Sequence, residues 1–215
     1  MLYIIGGTGF VVLMDIKRSK RWKGLSTNSK LILSTIAGLN LIAFVLLWAI
    51  ESNNPLTLAP MSLGDQALNA WFHATVPRSS GFNSLDLAQM KDASTLVTML
   101  LMFIGGGSMS TAGGIKVGTF IIVLLSVISF LRREDEIRVF NHSVSQKTSF
   151  KAMAVVSITA ALIFLGIFSL SLIEPNHQFM DLLFEAISAA CTVGLSRGIT
   201  GELQPASLFI LMLLM

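Results

Sequence analysis

The sequence predicts an all-α polytopic membrane protein in which a membrane helix–pore loop–membrane helix unit recurs. Three observations carry that prediction. The 215 residues are 53% hydrophobic and only 13% charged, with a mean hydropathy of +0.74, whereas soluble domains carry roughly 25% charged residues. Two runs, 31–50 and 152–173, are apolar over the ~20 residues a helix needs to cross a bilayer core. Two shorter segments, 63–76 and 179–190, are too brief to cross and run into glycine turns, as re-entrant segments do.

The elements follow in chain order. Residues 1–14 form a short apolar run with no basic residue ahead of it and no small-residue cleavage site, so a signal peptide fits poorly. Asp15 to Lys30 is basic, with Lys17, Arg18, Lys20, Arg21, Lys23 and Lys30 against the single acid Asp15. Ser26, Thr27 and Asn28 are helix-start residues ahead of the span 31–50. The connecting region 51–92 holds only Arg78 and Lys91 as Lys or Arg. The apolar stretch 94–131 would measure ~57 Å as one helix, too long for one ordinary span. Residues 132–151 are basic again, with Arg132, Arg133, Arg138, Lys147 and Lys151 against three acids. After the span 152–173 and the short segment 179–190, the run 206–215 covers ~15 Å, half a bilayer core. The expectation is that the chain is a piece of a longer protein.

Length alone allows 94–131 to be two spans or one broken span, and charge decides between them. Basic loops mark the cytoplasmic side. The loops 17–30 and 132–151 are both cytoplasmic only if an even number of crossings separates them. The span 31–50 is one, so 94–131 is one net crossing with an interruption, and 51–92 is external. The interruption is Gly105-Gly106-Gly107-Ser108-Met109-Ser110-Thr111-Ala112-Gly113-Gly114, five glycines and three hydroxyls in ten residues. Each glycine costs a helix about 1 kcal/mol relative to alanine. A close-packing stripe needs small residues at every fourth position, whereas here they are consecutive. A broken helix near the midplane, lining a watery path, is the reading that fits.

The segment Phe184 to Ser196 ends in Thr192-Val193-Gly194-Leu195. Non-helical backbone at membrane depth survives only where protein buries it or where it lines water. A short helix aimed at Thr-Val-Gly resembles a potassium-channel pore loop, in which backbone carbonyls replace the ion's water shell. The segment Leu63 to Val76 ends comparably, in Pro77-Arg78-Ser79-Ser80-Gly81-Phe82-Asn83-Ser84. Setting Gly81 on Gly194 places Trp71 on Phe184 and Phe82-Asn83 on Leu195-Ser196. The pattern of span, short helix, glycine turn and span therefore occurs twice.

Other chemistry finds little support. Gly6-Gly7-Thr8-Gly9 is too short for a dinucleotide fingerprint, and Gly113-Gly114-Ile115-Lys116 lacks the Gly-Lys-Ser/Thr of a phosphate loop. The single cysteine, Cys191, excludes an internal disulfide. His73, His142 and His177 show no metal-ligand spacing and read as exposed or interfacial residues. No Ser/His pair, HExxH or paired intramembrane Asp suggests an enzyme. A proton- or sodium-coupled carrier with broken helices would need mid-depth ionisable groups on several spans, and the clean spans offer none.

These stretches, taken together and in this order, resemble the Trk/Ktr/HKT superfamily of cation transporters, and within it the bacterial Ktr-type membrane subunit. Residues 6–15 resemble the end of the second repeat's last helix, 76–83 the third filter segment, 106–116 the intramembrane gate loop of the third repeat, and 184–196 the fourth filter segment. The resemblance implies four membrane–pore loop–membrane repeats around one central ion pore. Residues 1–16 would end the second repeat, 31–131 would form the third and 152–215 most of the fourth. The implied function is potassium uptake, with a sodium or mixed monovalent-cation transporter of the same superfamily as the alternative. Potassium would meet Ser79, Ser80, Gly81, Thr192, Val193 and Gly194, and the gate would run from Gly105 to Gly114. Met109 departs from the small residue more usual there, and its thioether would narrow the passage. Lys116 is expected to face the cavity or the gate loop's free carbonyls, because a membrane-buried lysine needs water or acceptors. Arg78 is expected to pair with an acid or a backbone carbonyl. Asp65, Asp86, Glu174, Asp181, Glu185 and Glu202 fall on the external side, where acids raise local cation concentration. Glu185 lies inside a pore helix and needs a partner. The resemblance further implies a homodimer in the plasma membrane resting on a cytosolic nucleotide-binding ring, with no covalent cofactor and no nucleic-acid partner.

Overall fold

The computed structural model describes residues 2–19, 21–78, 80–108, 110, 112–133, 137–139 and 142–215. The first apolar run is two helices, α1 (Leu2–Gly7) and α2 (Phe10–Ser19). Glycine at position 9 has φ of +91° and separates them. The long span α3 (Thr27–Glu51) starts ahead of the apolar run because Ser26 caps it, accepting from the Ser29 amide. The short helix α4 (Leu63–Thr75) is capped by Ser62, which accepts from the Asp65 amide and donates to its carboxylate at 2.7 Å. The Ser62 hydroxyl thus satisfies one of the helix's open amides, with the Asp65 carboxylate orienting it.

The stretch read as an interrupted span is two helices, α5 (Asp92–Phe103) and α6 (Val117–Leu131). Between them the backbone leaves the helix and returns. Ile104 and Ile115 pair in parallel, and the Gly105 amide bonds the Ile115 carbonyl at 2.9 Å while the Val117 amide bonds Gly106 at 2.9 Å. These bonds satisfy backbone groups that hydrocarbon could not. A small antiparallel hairpin, β1 (Ile137–Val139) with β2 (His142–Val144), occupies the basic loop. The second long span, α7 (Gln146–Ile173), begins ahead of its apolar run because Ser145 caps it. It is followed by the short helix α8 (Phe179–Ala190) and by α9 (Pro205–Leu214).

Among the described residues two helices, α3 and α7, are long and apolar enough to cross a membrane. Their outer flanks expose Leu41, Ile42 and Val45 on one, and Phe164, Leu165 and Phe168 on the other. Continuous apolar outer faces of this kind suit lipid rather than water. Within the bundle, α4 packs on α3, while α8 packs on α5, α7 and α9. The largest buried cluster gathers Leu47, Met99, Met102, Phe184, Val193 and Leu195 behind the glycine turns.

The two units, α3–α4–α5 and α7–α8–α9, share buried positions as well as element order. Leu47 and Leu170, and Met90 and Leu203, are buried at matching places. The acid that ends each long helix caps the third helix of its own unit. Glu51 accepts from the Lys91 amide at 3.0 Å, and Glu174 accepts from the Gln204 amide at 2.7 Å. Neither Lys91 nor Gln204 caps its helix with its own side chain. The borrowed carboxylate satisfies an amide that the helix leaves open and ties together the two ends of the segment between the long helix and the third helix.

Candidate functional site

The two glycine turns meet. Gly81 has φ of +63° and Gly194 +82°, and a methyl group on Gly81 would lie 3.2 Å from the Val193 carbonyl oxygen and 3.4 Å from that of Gly194. A left-handed backbone costs a residue with a side chain roughly 1–2 kcal/mol, so glycine is the residue these turns require. Thr192 also has positive φ, +50°, while Val193 between it and Gly194 does not. Thr192 and Gly194 are exposed and Val193 and Leu195 are buried, so one edge of the segment faces outward and the other anchors in the core.

The segment is held from behind. The Val193 amide bonds the Ser188 carbonyl at 2.9 Å. The Ser188 hydroxyl accepts from the Leu195 amide at 3.0 Å and donates to the Leu195 carbonyl at 2.6 Å. Glu185 is buried in α8 and accepts from the Ser196 hydroxyl at 2.5 Å, the Arg197 amide at 3.1 Å and the Thr200 hydroxyl at 2.9 Å. It has the partners its depth demands. Behind the first turn, Arg78 is buried and donates to the Asn40 side-chain oxygen on α3. A side-chain amide on the adjacent span is thus one partner of this guanidinium.

The glycine-rich loop between α5 and α6 packs directly against this segment. A methyl on Gly113 would lie 2.0 Å from Thr192 Oγ1 and 2.1 Å from the Cys191 carbonyl oxygen. On its other side the loop touches the α1–α2 break, where the Gly107 amide bonds the Gly7 carbonyl at 2.7 Å. Lys116 donates to the Ser110 carbonyl at 3.3 Å and to that of Ala112. The ammonium therefore meets loop carbonyls, the acceptors a lysine at that depth requires. Ser79, Met109 and Thr111 lie outside the described residues. Ser80, Gly81, Thr192, Val193 and Gly194 are brought to one place, with Gly105, Gly106, Gly107, Ser108, Ser110, Ala112, Gly113 and Gly114 forming the loop beside them.

The sequence profile of TrkH, described as a cation transport protein, matches residues 1–215. The chain belongs to the TrkH family of cation transport proteins. It is therefore a membrane protein. This TrkH-family chain is 42% identical over its whole length to the Ktr system potassium uptake protein B of Bacillus subtilis (strain 168), covering 48% of that protein. It is 38% identical to the protein of the same name from Vibrio alginolyticus, covering all of this chain and 47% of that protein. It is 36% identical over 94% of its length to the potassium/sodium uptake protein NtpJ of Enterococcus hirae, covering 45% of that protein. The chain thus spans about half the length of the curated relatives it matches. Its fold matches the crystal structure of the potassium transporter TrkH from Vibrio parahaemolyticus with a TM-score of 0.78 at 18% identity, covering 99% of this chain and 47% of that one.

The structure adds residues that the motifs of this TrkH-family chain did not reveal. His73 is fully buried rather than exposed or interfacial, and its Nε2 lies 3.1 Å from the Thr98 hydroxyl. His177 is half-buried near Glu174, and the His142 side chain lies outside the described residues. Among the described residues no group of three His, Cys, Asp or Glu could hold a metal ion. Asn40 carried a readable signal, a lone amide inside an apolar span, which membranes tolerate only with a partner. Ser188 and Arg197 carried none, because their partners are set by the turn geometry.

Proposed function

We propose that this chain forms part of the pore of a potassium uptake protein, contributing two of its filter segments. The observation that carries the reading is the approach of Gly81 to Val193 and Gly194, with left-handed backbone at both glycines and at Thr192. Carbonyls of Ser79, Ser80 and Gly81 and of Thr192, Val193 and Gly194 would replace part of the water shell of a dehydrated cation. The names of the Ktr system relatives support potassium as that cation. The name of the Enterococcus hirae relative favours a second reading, a pathway that also admits sodium.

In this reading residues 31–131 and 152–215 are the third and fourth of four repeats, and residues 1–16 end the second. Gly105 to Gly114 is the gate. Lys116 steadies it from one side and the Gly7 carbonyl from another. The protein is a multi-pass plasma-membrane protein, a homodimer on a cytosolic nucleotide-binding ring, with loops 17–30 and 132–151 cytoplasmic.

Ion uptake by the full-length protein tests both parts. Gly194→Ser reduces discrimination of potassium from sodium, since a side chain strains the turn and disturbs its carbonyls. Unchanged preference removes Gly194 from the filter. Deleting Ser108 to Ala112 raises flux with selectivity retained. A folded deletion variant that conducts less, or equally with regulation intact, makes the loop a structural linker.

A further inference from the structure

The exit of the second filter segment is fastened by charges that the first unit lacks. Arg197 follows Ser196 directly, and its Nε lies 2.6 Å from Asp181 Oδ1 in the first turn of α8, an ion pair without aligned hydrogen-bond geometry. Its Nη1 donates to the Thr95 hydroxyl on α5 at 2.7 Å and its Nη2 to the Ala88 carbonyl at 3.4 Å. Thr95 and Ala88 belong to the first unit, so this one side chain joins the two units at the level of the filter. Its backbone amide is held by Glu185, which also holds Ser196 and Thr200. In the first unit the positions matching Glu185 and Arg197 are Phe72 and Ser84.

A residue with a side chain stays at positive φ only where its surroundings over-determine it. Thr192 is such a residue. Ser188 fixes the segment to its own helix, and Arg197 adds directional hydrogen bonds from the segment's exit to the first unit, beside the packing of Val193 and Leu195 and the close approach of Gly113. A planar guanidinium with several donors suits such a multi-point tie better than an ammonium would.

We propose that Arg197, held by Glu185 and Asp181, is a positioning residue for cation discrimination: it sets the spacing of Thr192–Gly194 against Gly81. This rests on the filter reading above. Discrimination by a carbonyl ring depends on the number and placement of its oxygens, so a loosened tie changes the ion ratio before it changes the amount of folded protein.

The test is uptake of potassium and of sodium by the full-length protein in proteoliposomes, normalised to folded protein, with thermal unfolding measured alongside. Arg197→Gln is expected to lower the potassium-to-sodium ratio about threefold or more, an effect of the size of typical contact couplings. Arg197→Lys recovers part of the loss. Combining Asp181→Asn with Arg197→Gln is no worse than Arg197→Gln alone, because the two act through one contact. If Arg197→Gln does not fold, Thr95→Val decides, since it removes one of the guanidinium's contacts together with only the hydroxyl's local bond to the Lys91 carbonyl, and should lower the ratio in the same direction. A ratio unchanged in the folded variants, with only the unfolding temperature lowered, overturns the proposal and leaves Arg197 a purely structural tie. Gly194→Ser separates the two levels. If it leaves the ratio unchanged, the filter reading fails. If it changes the ratio and the Arg197 and Thr95 variants do not, only the positioning role fails.

Discussion

The two units solve the same backbone problem with opposite chemistry. In the first, the re-entrant helix is joined to its neighbours by buried polar pairs: Arg78 with Asn40, and His73 with Thr98. At the matching places the second unit has Cys191 with Ile163, and Ala186 with Leu211, each pair within an apolar cluster. The glycine-turn segments show the reverse. The second unit clasps its segment with Ser188 and Glu185, whereas the position matching Glu185 in the first is the aromatic Phe72. The shared features are those that shape the backbone: glycines at positive φ, buried Leu47 and Leu170, and the carboxylates of Glu51 and Glu174 on the next helix. Both units thus keep the turn and the end-to-end tie, while the groups that fill the space behind them differ.

The largest effect expected is at the contact between units. Gly113→Val brings side-chain atoms onto Thr192 and the Cys191 carbonyl, and overpacking costs typically about 1–3 kcal/mol, with more where backbone is struck. Uptake per cell should fall more than about tenfold. Gly38→Ala in α3, where a methyl meets nothing within 4 Å, is the control and should be silent. Normal uptake in Gly113→Val would separate the loop from the filter.

Next comes the polar interior of the first unit. Asn40→Leu takes an acceptor from the buried Arg78 guanidinium, and a hydrogen bond to a charged group is worth about 1.5–3 kcal/mol. Ile163→Val, at the matching place in the second unit, should cost only about 0.5–1.5 kcal/mol. Unfolding temperatures of the detergent-solubilised protein compare the two, and equal losses would end the idea that the units are stabilised differently.

A finer test converts one pair into its counterpart. Thr98→Leu leaves the buried His73 without that hydroxyl, at a cost of about 1–3 kcal/mol. Adding His73→Ala reproduces the Ala186–Leu211 arrangement and should recover most of the loss. A double variant as unstable as the sum of the single ones would show that the interiors are not interchangeable.

The smallest effect concerns the caps. The Gln204 amide, then the Ser207 hydroxyl, hold the Glu174 carboxyl below its ordinary pKa. A depressed folded-state pKa means the contribution is present above the unfolded pKa and lost as pH falls through the folded one. Glu174→Gln should therefore lower the unfolding temperature at neutral pH, and the difference from the parent should shrink as the pH falls into and below the carboxylate range. A difference independent of pH would mean that Glu174 acts through packing.

The sequence by itself determined the class and the local turning points. Apolar length picks out 31–50 and 152–173, which lie inside α3 and α7. Consecutive glycines mark the gap between α5 and α6, and Gly81 and Gly194 mark the turns, because helix cost and left-handed backbone are properties of single residues. The start of α3 was legible in Ser26, whereas α7 begins upstream of its apolar run at Ser145, a cap that hydropathy does not register. Only the tertiary structure decided which polar groups meet. That Arg78 finds Asn40, that Gly113 lies under Thr192, and that Arg197 reaches Thr95 depends on contacts between residues distant in sequence. Hydrogen bonds are short and directional, so a partner is chosen by position to within an ångström, and hydrophobic pattern fixes helix faces far more loosely than that.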